Sequence, residues 1–164
     1  MRKNELETGY HKHEQFFLEA AREAQKALCL RSRCGAVVVQ NGMIIGRGYN
    51  APPNDDVTLR KCERDFQESP KPKSDRTCCM HAEWRAIIQA LQSKKNLHGS
   101  MLYFARVNDR GEIKKSGEPY CTVCSRLALD TGIKQFGLWQ EAGIKLYDTM
   151  QYNELSYQFH LKKQ

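Results

Sequence analysis

The sequence lacks any apolar segment long enough to cross a membrane. No stretch approaches the roughly 18 consecutive apolar residues that a transmembrane helix requires. Residues 1–7 are polar and charged, so they do not resemble a secretory signal peptide. Repeats and low-complexity segments are also missing. We therefore expect a cytoplasmic protein without a membrane partner.

A disulfide framework is not expected either. The chain has seven cysteines but no export signal, which indicates thiols that are reduced or bound to metal. Its 164 residues suit a single domain covering 1–164, and its apolar (40%) and charged (27%) fractions are those of an ordinary globular chain. The net charge of +7 favours anionic partners such as nucleotides or nucleic acid, although solvated surface lysines explain it equally well.

Hydrophobic periodicity predicts an α/β protein. Apolar residues recur at helical spacing over residues 13–29, and two β-rich runs joined by Asn41-Gly42 indicate a hairpin. Residues 51–77, rich in proline and charge, predict a long loop with one helical turn at 59–66. Further helices are expected at 80–92, 121–130 and 149–161, the last with Thr149 as its N-cap, and further strands at 101–107, 135–139 and 144–147. This order predicts one mixed sheet of about five strands with helices on both faces.

Two short motifs carry the chemistry of this sequence. One is His81-Ala-Glu83 and the other is Cys121-Thr-Val-Cys124, each at the start of a predicted helix. A Cys-x-x-Cys at a helix N-terminus places two sulfurs on one side, where the unpaired amides and the dipole stabilise thiolates. His81 supplies a third ligand. Three protein ligands leave a tetrahedral zinc with an open position for water, as in catalytic rather than structural sites.

Glu83 follows His81 by two residues, near enough to reach a water molecule at the metal without being a ligand. A carboxylate there can take a proton from the water and return it to a leaving amine. Each motif alone is weak, since a lone Cys-x-x-Cys is more often a redox pair, a structural metal clip or two buried thiols. Their occurrence together predicts a catalytic zinc held by His81, Cys121 and Cys124, with Glu83 as the catalytic residue.

These residues resemble the signature of the cytidine and deoxycytidylate deaminase superfamily, in which His-x-Glu is followed by Pro-Cys-x-x-Cys. The resemblance extends to the first hairpin, at 34–50, and covers roughly residues 16–147. It implies a three-layer α/β/α fold, zinc-dependent hydrolytic deamination of a nucleobase, and a homo-oligomer. By position, it implies that Glu83 shuttles protons and that Asn50 and the backbone of Ala82 contact the substrate.

The chain departs from the family pattern at Tyr120. This residue stands between Pro119 and Cys121, where the family usually has proline directly before cysteine. The spacing of the ligands is unchanged, so zinc binding is still expected, but the turn that enters the helix differs. Tyr120 is a candidate to stack on the base, and the alternative is packing in the core. For Trp84 we expect packing in the core, and the alternatives are the pocket or a subunit interface. For Asp55 and Asp56 we expect a solvated turn, and the alternative is contact with a ribose hydroxyl or an amine.

Five cysteines lie outside these motifs: Cys29, Cys34, Cys62, Cys78 and Cys79. Some deoxycytidylate deaminases resemble this chain in carrying extra cysteines that bind a second, structural zinc. Here the candidate would be Cys62 with Cys78 or Cys79. The alternative, which the sequence favours, is that these residues are small buried apolar side chains or free thiols.

The expected substrate is a cytosine nucleotide such as dCMP. Tyr49-Asn50 and the long loop before the metal helix most resemble deoxycytidylate deaminases, and the basic charge suits a monophosphate. The candidates for phosphate contact are Arg47, Arg60, Arg76 and Arg126. Two alternatives remain open: a purine-directed deaminase acting on guanine or on adenosine in tRNA, and an inert module that binds nucleic acid or a partner. The presence of Glu83 with all three ligands favours the enzyme.

Overall fold

A computed structural model of the protein describes residues 2–62 and 77–161. Its helices are α1 (Arg2–Ala24), α2 (Ala82–Gln92), α3 (Thr122–Asp130) and α4 (Thr149–Leu161). Its strands are β1 (Arg33–Gln40), β2 (Met43–Tyr49), β3 (Met101–Val107), β4 (Ile113–Lys114), β5 (Gln135–Gln140) and β6 (Gly143–Asp148). No helix within the described ranges is long and apolar enough to span a bilayer.

The strands form one mixed sheet in the order β2-β1-β3-β5-β6, with β4 paired to the end of β3. β3 and β5 run parallel, and α3 lies in the connection between them. The other pairs are antiparallel. The mixed sheet expected from the sequence is therefore confirmed, and the two-residue β4 adds a sixth strand to the five predicted.

Two apolar clusters cover the two faces of the sheet. On one face, Phe17 of α1 is fully buried against Val37 of β1 and Tyr103 of β3. On the other face, Ile87 of α2 and Phe136 of β5 belong to a cluster that also takes in α3 and α4. Successive residues of β1 and β3 point alternately to these two clusters, as the period of a strand requires. The three-layer α/β/α fold is thus confirmed.

α2 lies very close to β2 because a glycine faces it. A Cβ atom at Gly48 would lie 2.3 Å from the carbonyl oxygen of Ala82 and 2.4 Å from the amide nitrogen of Ala86. No side chain fits in that space, so only glycine permits the separation. This close approach places the N-terminus of α2 beside the end of β2.

The predicted elements are confirmed in type. β3 and α4 also match at both boundaries, whereas others differ. α1 ends at Ala24, five residues earlier than predicted, because Leu28 donates its backbone hydrogen bond to the carbonyl of Asn50 (3.1 Å) instead of continuing the helix. The helical turn predicted at 59–66 extends beyond the described residues. Within them, 3₁₀ turns cover Pro53–Asp55 and Val57–Leu59. Tertiary hydrogen bonds to the neighbouring segment therefore override the helical periodicity after α1.

Side-chain chemistry accounts for the hairpin and for the start of α4. Asn41 and Gly42 both have positive φ angles, 51° and 76°, as the tight hairpin turn predicted from this dipeptide requires. α4 begins at Thr149, but Asp148 provides its cap rather than Thr149, because the Oδ1 atom of Asp148 accepts a hydrogen bond from the amide of Met150 (2.9 Å).

Candidate metal centre and active site

The N-termini of α2 and α3 meet on the face of the sheet opposite α1. His81 and Cys121 are the N-cap residues of these helices, and neither side chain caps its own helix. Their carbonyl oxygens accept the first helical hydrogen bonds, from Arg85 (3.2 Å) and Ser125 (3.0 Å). The backbone of each residue is therefore fixed, and the two side chains face each other and Cys124.

The three predicted ligands are brought together, and their donor atoms suit a zinc ion, with the two separations from the Cys124 sulfur shorter than those around a bound metal. The Nδ1 atom of His81 lies 3.1 Å from the sulfur of Cys124 and 3.6 Å from that of Cys121, and the two sulfurs lie 3.0 Å apart. Ligand atoms around a tetrahedral zinc are expected about 3.6–3.8 Å apart, given bonds of 2.0–2.3 Å. One nitrogen and two sulfurs form the donor set of a catalytic zinc with an open fourth position.

The pKa values of the two thiols move in opposite directions. Hydrogen bonding with Cys124 and with His81 lowers the pKa of Cys121 to about 4. Burial raises the pKa of Cys124, and hydrogen bonding with Cys121 raises it further. Cys121 is thus a thiolate at neutral pH even without a cation. A cation at this position would compensate for the burial of Cys124, because metal ligation favours the deprotonated thiol.

Glu83 lies in the first turn of α2, within the same cluster. Its side chain is 6% exposed, and it hydrogen-bonds with Cys124. Burial raises the pKa of this carboxyl group, and the negative charge of Cys121 raises it further. A carboxyl group with a raised pKa beside the candidate metal site is suited to accept a proton and to release it again.

Asn50 has a structural role that the sequence does not reveal. Its Oδ1 atom accepts a hydrogen bond from the amide of Cys34 (2.8 Å), and its Nδ2 atom donates one to the carbonyl of Ser32 (2.8 Å). The side chain therefore holds the segment that enters β1. One lone pair on Oδ1 and one hydrogen on Nδ2 are left for a substrate.

Ala82 follows the candidate ligand His81, and Tyr120 precedes the candidate ligand Cys121. Their environments differ. Ala82 is fully buried at the start of α2. Tyr120 is 45% exposed, so it does not pack in the core, and its ring meets that of Phe159 at 5.9 Å. Its hydroxyl lies deeper, where burial raises its pKa to about 12. This hydroxyl is close to Arg106.

Trp84 is a neighbour of the candidate site, which is the less favoured of its predicted positions. Its ring stacks on the imidazole of His81 with centroids 4.3 Å apart and an interplanar angle of 8°. The predicted core position is therefore wrong. The available signal was the spacing of three residues along one helix, which places two side chains next to each other. The stacking restricts the orientation of the His81 ring.

Asp55 also differs from its prediction as a solvated residue. It accepts a hydrogen bond from the hydroxyl of Tyr49 (2.6 Å) and pairs with Arg85 of α2 (2.8 Å). Arg85 in turn donates to the carbonyl of Tyr49 (3.2 Å). These contacts hold the segment after Asn50 against α2, next to the candidate metal ligands.

A second cluster of sulfur atoms joins the segment after α1 to the long loop and to the residues that follow it. The thiols of Cys29, Cys62 and Cys79 lie within 4.8 Å of one another. Cys78 lies 3.3 Å from Cys62 and 3.8 Å from Cys79. The sequence points to Cys62 with Cys78 or Cys79. Cys29 joins them only because the segment after α1 folds back toward the end of β2. All four are free thiols.

The four arginines proposed for phosphate contact differ in their surroundings. Arg47 is engaged by Glu19, whose Oε2 atom lies 2.8 Å away. Arg126 is exposed on α3 and donates to the carbonyl of Thr122 (3.1 Å). Arg76 lies outside the described residues. Arg60 lines a cavity of about 630 Å³.

Comparison with known proteins gives relatives of two kinds, curated sequences and solved structures. The deoxycytidylate deaminase of Mycobacterium phage D29 is 31% identical over 129 residues, covering 74% of this chain and 90% of that protein. The deoxycytidylate deaminase of Schizosaccharomyces pombe is 27% identical over 127 residues, covering 75% of this chain and 34% of that protein. The crystal structure of the dCMP deaminase of cyanophage S-TIM5 with dCMP and dUMP is 25% identical, has a TM-score of 0.54, and covers 76% of this chain and 77% of that chain.

A more distant structure shows the fold alone: the cytidine deaminase of Burkholderia pseudomallei, with 16% identity and a TM-score of 0.51 over 83% of this chain and 92% of that chain. The family model of the cytidine and deoxycytidylate deaminase zinc-binding region matches residues 10–139. That span contains β1 to β3, both metal-site helices and all three candidate ligands. The resemblance first indicated by two short motifs therefore extends from α1 through most of β5 and includes the candidate site, and the chain belongs to the cytidine and deoxycytidylate deaminase family.

Proposed function

We propose that the protein is a zinc-dependent hydrolase that converts dCMP and water to dUMP and ammonia. The observation that carries this proposal is the convergence of His81, Cys121 and Cys124 beside the buried carboxyl group of Glu83. An inert relative would be expected to lack one of these four groups. The complete set supports catalysis rather than a binding role alone.

In this proposal His81, Cys121 and Cys124 hold the zinc ion through one nitrogen and two sulfurs. When bound, zinc acidifies a water molecule at its open position and so supplies a nucleophile at neutral pH. Trp84 restricts the imidazole of His81 by stacking. The N-terminus of α3 favours the thiolate of Cys121.

Glu83 is proposed to be the catalytic acid and base. It takes a proton from the attacking water and delivers it to the exocyclic nitrogen as the C–N bond breaks, so that the amine leaves as ammonia. The low exposure of its carboxyl group and its raised pKa suit it to hold a proton between these steps. One residue thereby performs both proton transfers.

Substrate contacts are proposed for Asn50, Ala82 and Tyr120. The remaining hydrogen-bonding capacity of Asn50 suits a sugar or base oxygen, and Ala82 offers its backbone to the base edge. Tyr120, which precedes the candidate ligand Cys121 and is partly exposed, is proposed to stack on the base or sugar. A cytosine nucleotide is favoured because the relatives from phage D29 and S. pombe, which cover about three quarters of this chain, are deoxycytidylate deaminases.

The test of this proposal is ammonia release from a panel of substrates by the zinc-loaded protein. The panel contains cytosine, cytidine, deoxycytidine, CMP, dCMP, adenosine, guanine and a tRNA anticodon stem. We expect the highest kcat/KM with dCMP. Activity should disappear after zinc is removed by a chelator and return when zinc is added. Preference for a purine, or activity on tRNA alone, would contradict the proposed substrate and leave the zinc mechanism standing.

We also propose a second, structural zinc held by Cys29, Cys62, Cys78 and Cys79. Four of the six thiol separations, 3.3–4.0 Å, bracket the value of about 3.8 Å expected around a zinc with four sulfur ligands. Cys78 is not among the thiols that all lie within 4.8 Å of one another, so it must move toward Cys29 to complete the site. Four thiols close a tetrahedral site and leave no position for water, as in structural zinc sites. Such a site would join the segment after α1 to both ends of the long loop.

Metal analysis should therefore find two zinc ions per chain. The Cys62→Ser variant should keep one zinc and unfold at a lower temperature, because structural zinc contributes folding free energy. The Cys34→Ser variant, which removes a buried thiol outside both clusters, should keep two. A wild-type protein with one zinc, and with the cluster thiols freely titratable by a thiol reagent, would exclude the second site.

Three further features belong to the same proposal. We propose a single domain, a cytoplasmic location and a homo-oligomer. The oligomer is supported by the resemblance to deaminases and by exposed apolar side chains on α2, where Ile88 is 39% and Leu91 is 48% exposed.

A further inference from the structure

The cavity beside β3 has a strongly basic lining. It has a volume of about 630 Å³, within the usual range for small-ligand sites. Its cationic residues are Arg31, Arg33, Arg60, Arg106 and Lys114. Among the lining residues that the structure describes, Asp109 is the one carboxylate. An excess of positive charge in a concave site attracts an anionic ligand.

Two of these cations oppose each other directly. Arg106 of β3 pairs in register with Lys114 of β4, so both side chains project from the same face of the sheet. Like charges at directly opposite positions are unfavourable unless something neutralises them. Within the part of the chain that the structure describes, the Nε atom of Arg106 is buried and has no hydrogen-bond partner. An anion in the cavity would satisfy this donor and relieve the repulsion.

The same arginine connects the cavity to the candidate active site. The guanidinium group of Arg106 lies within hydrogen-bonding reach of the Cys34 thiol and the Tyr120 hydroxyl. Cys34 and Tyr120 both lie close enough to Glu83 for its charge to affect their pKa values. Arg106 therefore stands between the basic cavity and the proposed proton shuttle.

The opposite wall of the cavity is held by contacts between two loops. Arg31 donates to the carbonyl of Cys62 (2.9 Å), and Arg60 donates to the carbonyl of Leu28 (3.4 Å). Each contact joins the segment before β1 to the start of the long loop, close to the second thiol cluster. The cationic side chains on this wall are thereby positioned before a ligand arrives, which lowers the entropic cost of binding.

We propose that this cavity binds the phosphate group of the substrate, with Arg106 as the main contact and Lys114 as the second. The proposal rests on the proposed function, since it assumes a nucleotide whose base reaches Glu83. It makes Arg106 a specificity-determining residue that favours nucleoside monophosphates over nucleosides. A guanidinium group suits this role because its fork of donors matches the oxygens of a phosphate.

The experiment measures kcat/KM for dCMP and for deoxycytidine in the wild type and three variants, and reports their ratio. Arg106→Gln should lower the ratio on the order of 10–100-fold, from the strength of hydrogen bonds to charged groups. Lys114→Gln should lower it less. Arg22→Gln is the matched control, because it removes the same charge from the exposed surface of α1, on the other face of the sheet, and its ratio should equal that of the wild type.

A parallel binding measurement separates this proposal from the proposed function. Calorimetry with dUMP and with deoxyuridine, which have no amine to lose, should show that dUMP binds more tightly. Arg106→Gln should remove most of that difference, and inorganic phosphate should compete with dUMP for the wild type. If neither dCMP nor deoxycytidine is deaminated, the proposed function is wrong. The binding measurement with dUMP then still tests whether the cavity binds phosphate. Two results would overturn the phosphate site. One is that Arg106→Gln and Lys114→Gln each lower kcat/KM by the same factor for dCMP and for deoxycytidine. The other is that Arg106→Gln binds dUMP as tightly as the wild type does.

Discussion

Glu83→Gln is expected to lower kcat for dCMP by about 10²–10⁴-fold, the usual contribution of a positioned general acid and base. Glutamine is close in size to glutamate and can still hydrogen-bond with Cys124, but its amide cannot accept and release the proton. Because Glu83 is not a proposed ligand, zinc content should equal that of the wild type. The measurement combines steady-state kinetics with metal analysis of the same sample.

The matched control for this experiment is Glu141→Gln. Glu141 is exposed in the turn between β5 and β6, so its replacement should change neither kcat nor zinc content. If Glu83→Gln loses the zinc together with the activity, Glu83 is a ligand. If the activity falls by less than tenfold with zinc in place, the proton transfer belongs to another group.

Cys124→Ser is expected to remove the catalytic zinc and reduce deamination below detection. Cys124 is fully buried, and its sulfur lies 3.0–3.1 Å from the other two ligand atoms, so no other side chain in the cluster replaces it. A hydroxyl group stays protonated at neutral pH and is a poor zinc ligand. The zinc count should fall by one relative to the wild type, and excess zinc should not restore activity.

Cys62→Ser is the informative comparison for Cys124→Ser. Both variants should lose one zinc, but the Cys62→Ser protein should keep measurable activity because its remaining zinc lies at His81. Activity without zinc in Cys124→Ser would exclude the proposed catalytic site. Loss of all zinc from Cys62→Ser in a folded protein would show that the two sites are not independent.

Prediction from sequence succeeded where the determining interactions are local. The Asn41-Gly42 turn depends on the φ angles of two adjacent residues, and the β-rich runs on either side of it form β1 and β2. The same holds for Cys121 and Cys124, which lie within one turn at the start of α3. Each of these features is set within a few residues, so its pattern can be read directly from the chain.

Prediction failed where distant segments meet. Asp55 has the appearance of a solvated turn residue, but it pairs with Arg85, thirty positions along the chain. Asp55 finds this partner only because the segment after β2 packs against α2, and the partner does not follow from the residue type.

The sequence predicted the proposed zinc ligands and the proposed proton shuttle from two short motifs, because helix geometry places Cys121 beside Cys124, and His81 near Glu83. The meeting of the two motifs depends on the fold, as do the approach of Cys29 to the thiols of the long loop and the pairing of Arg106 with Lys114 in a basic cavity. Those groups lie on segments whose meeting depends on strand register and on loop closure. Such contacts are selected by the packing of the whole sheet rather than by any local pattern.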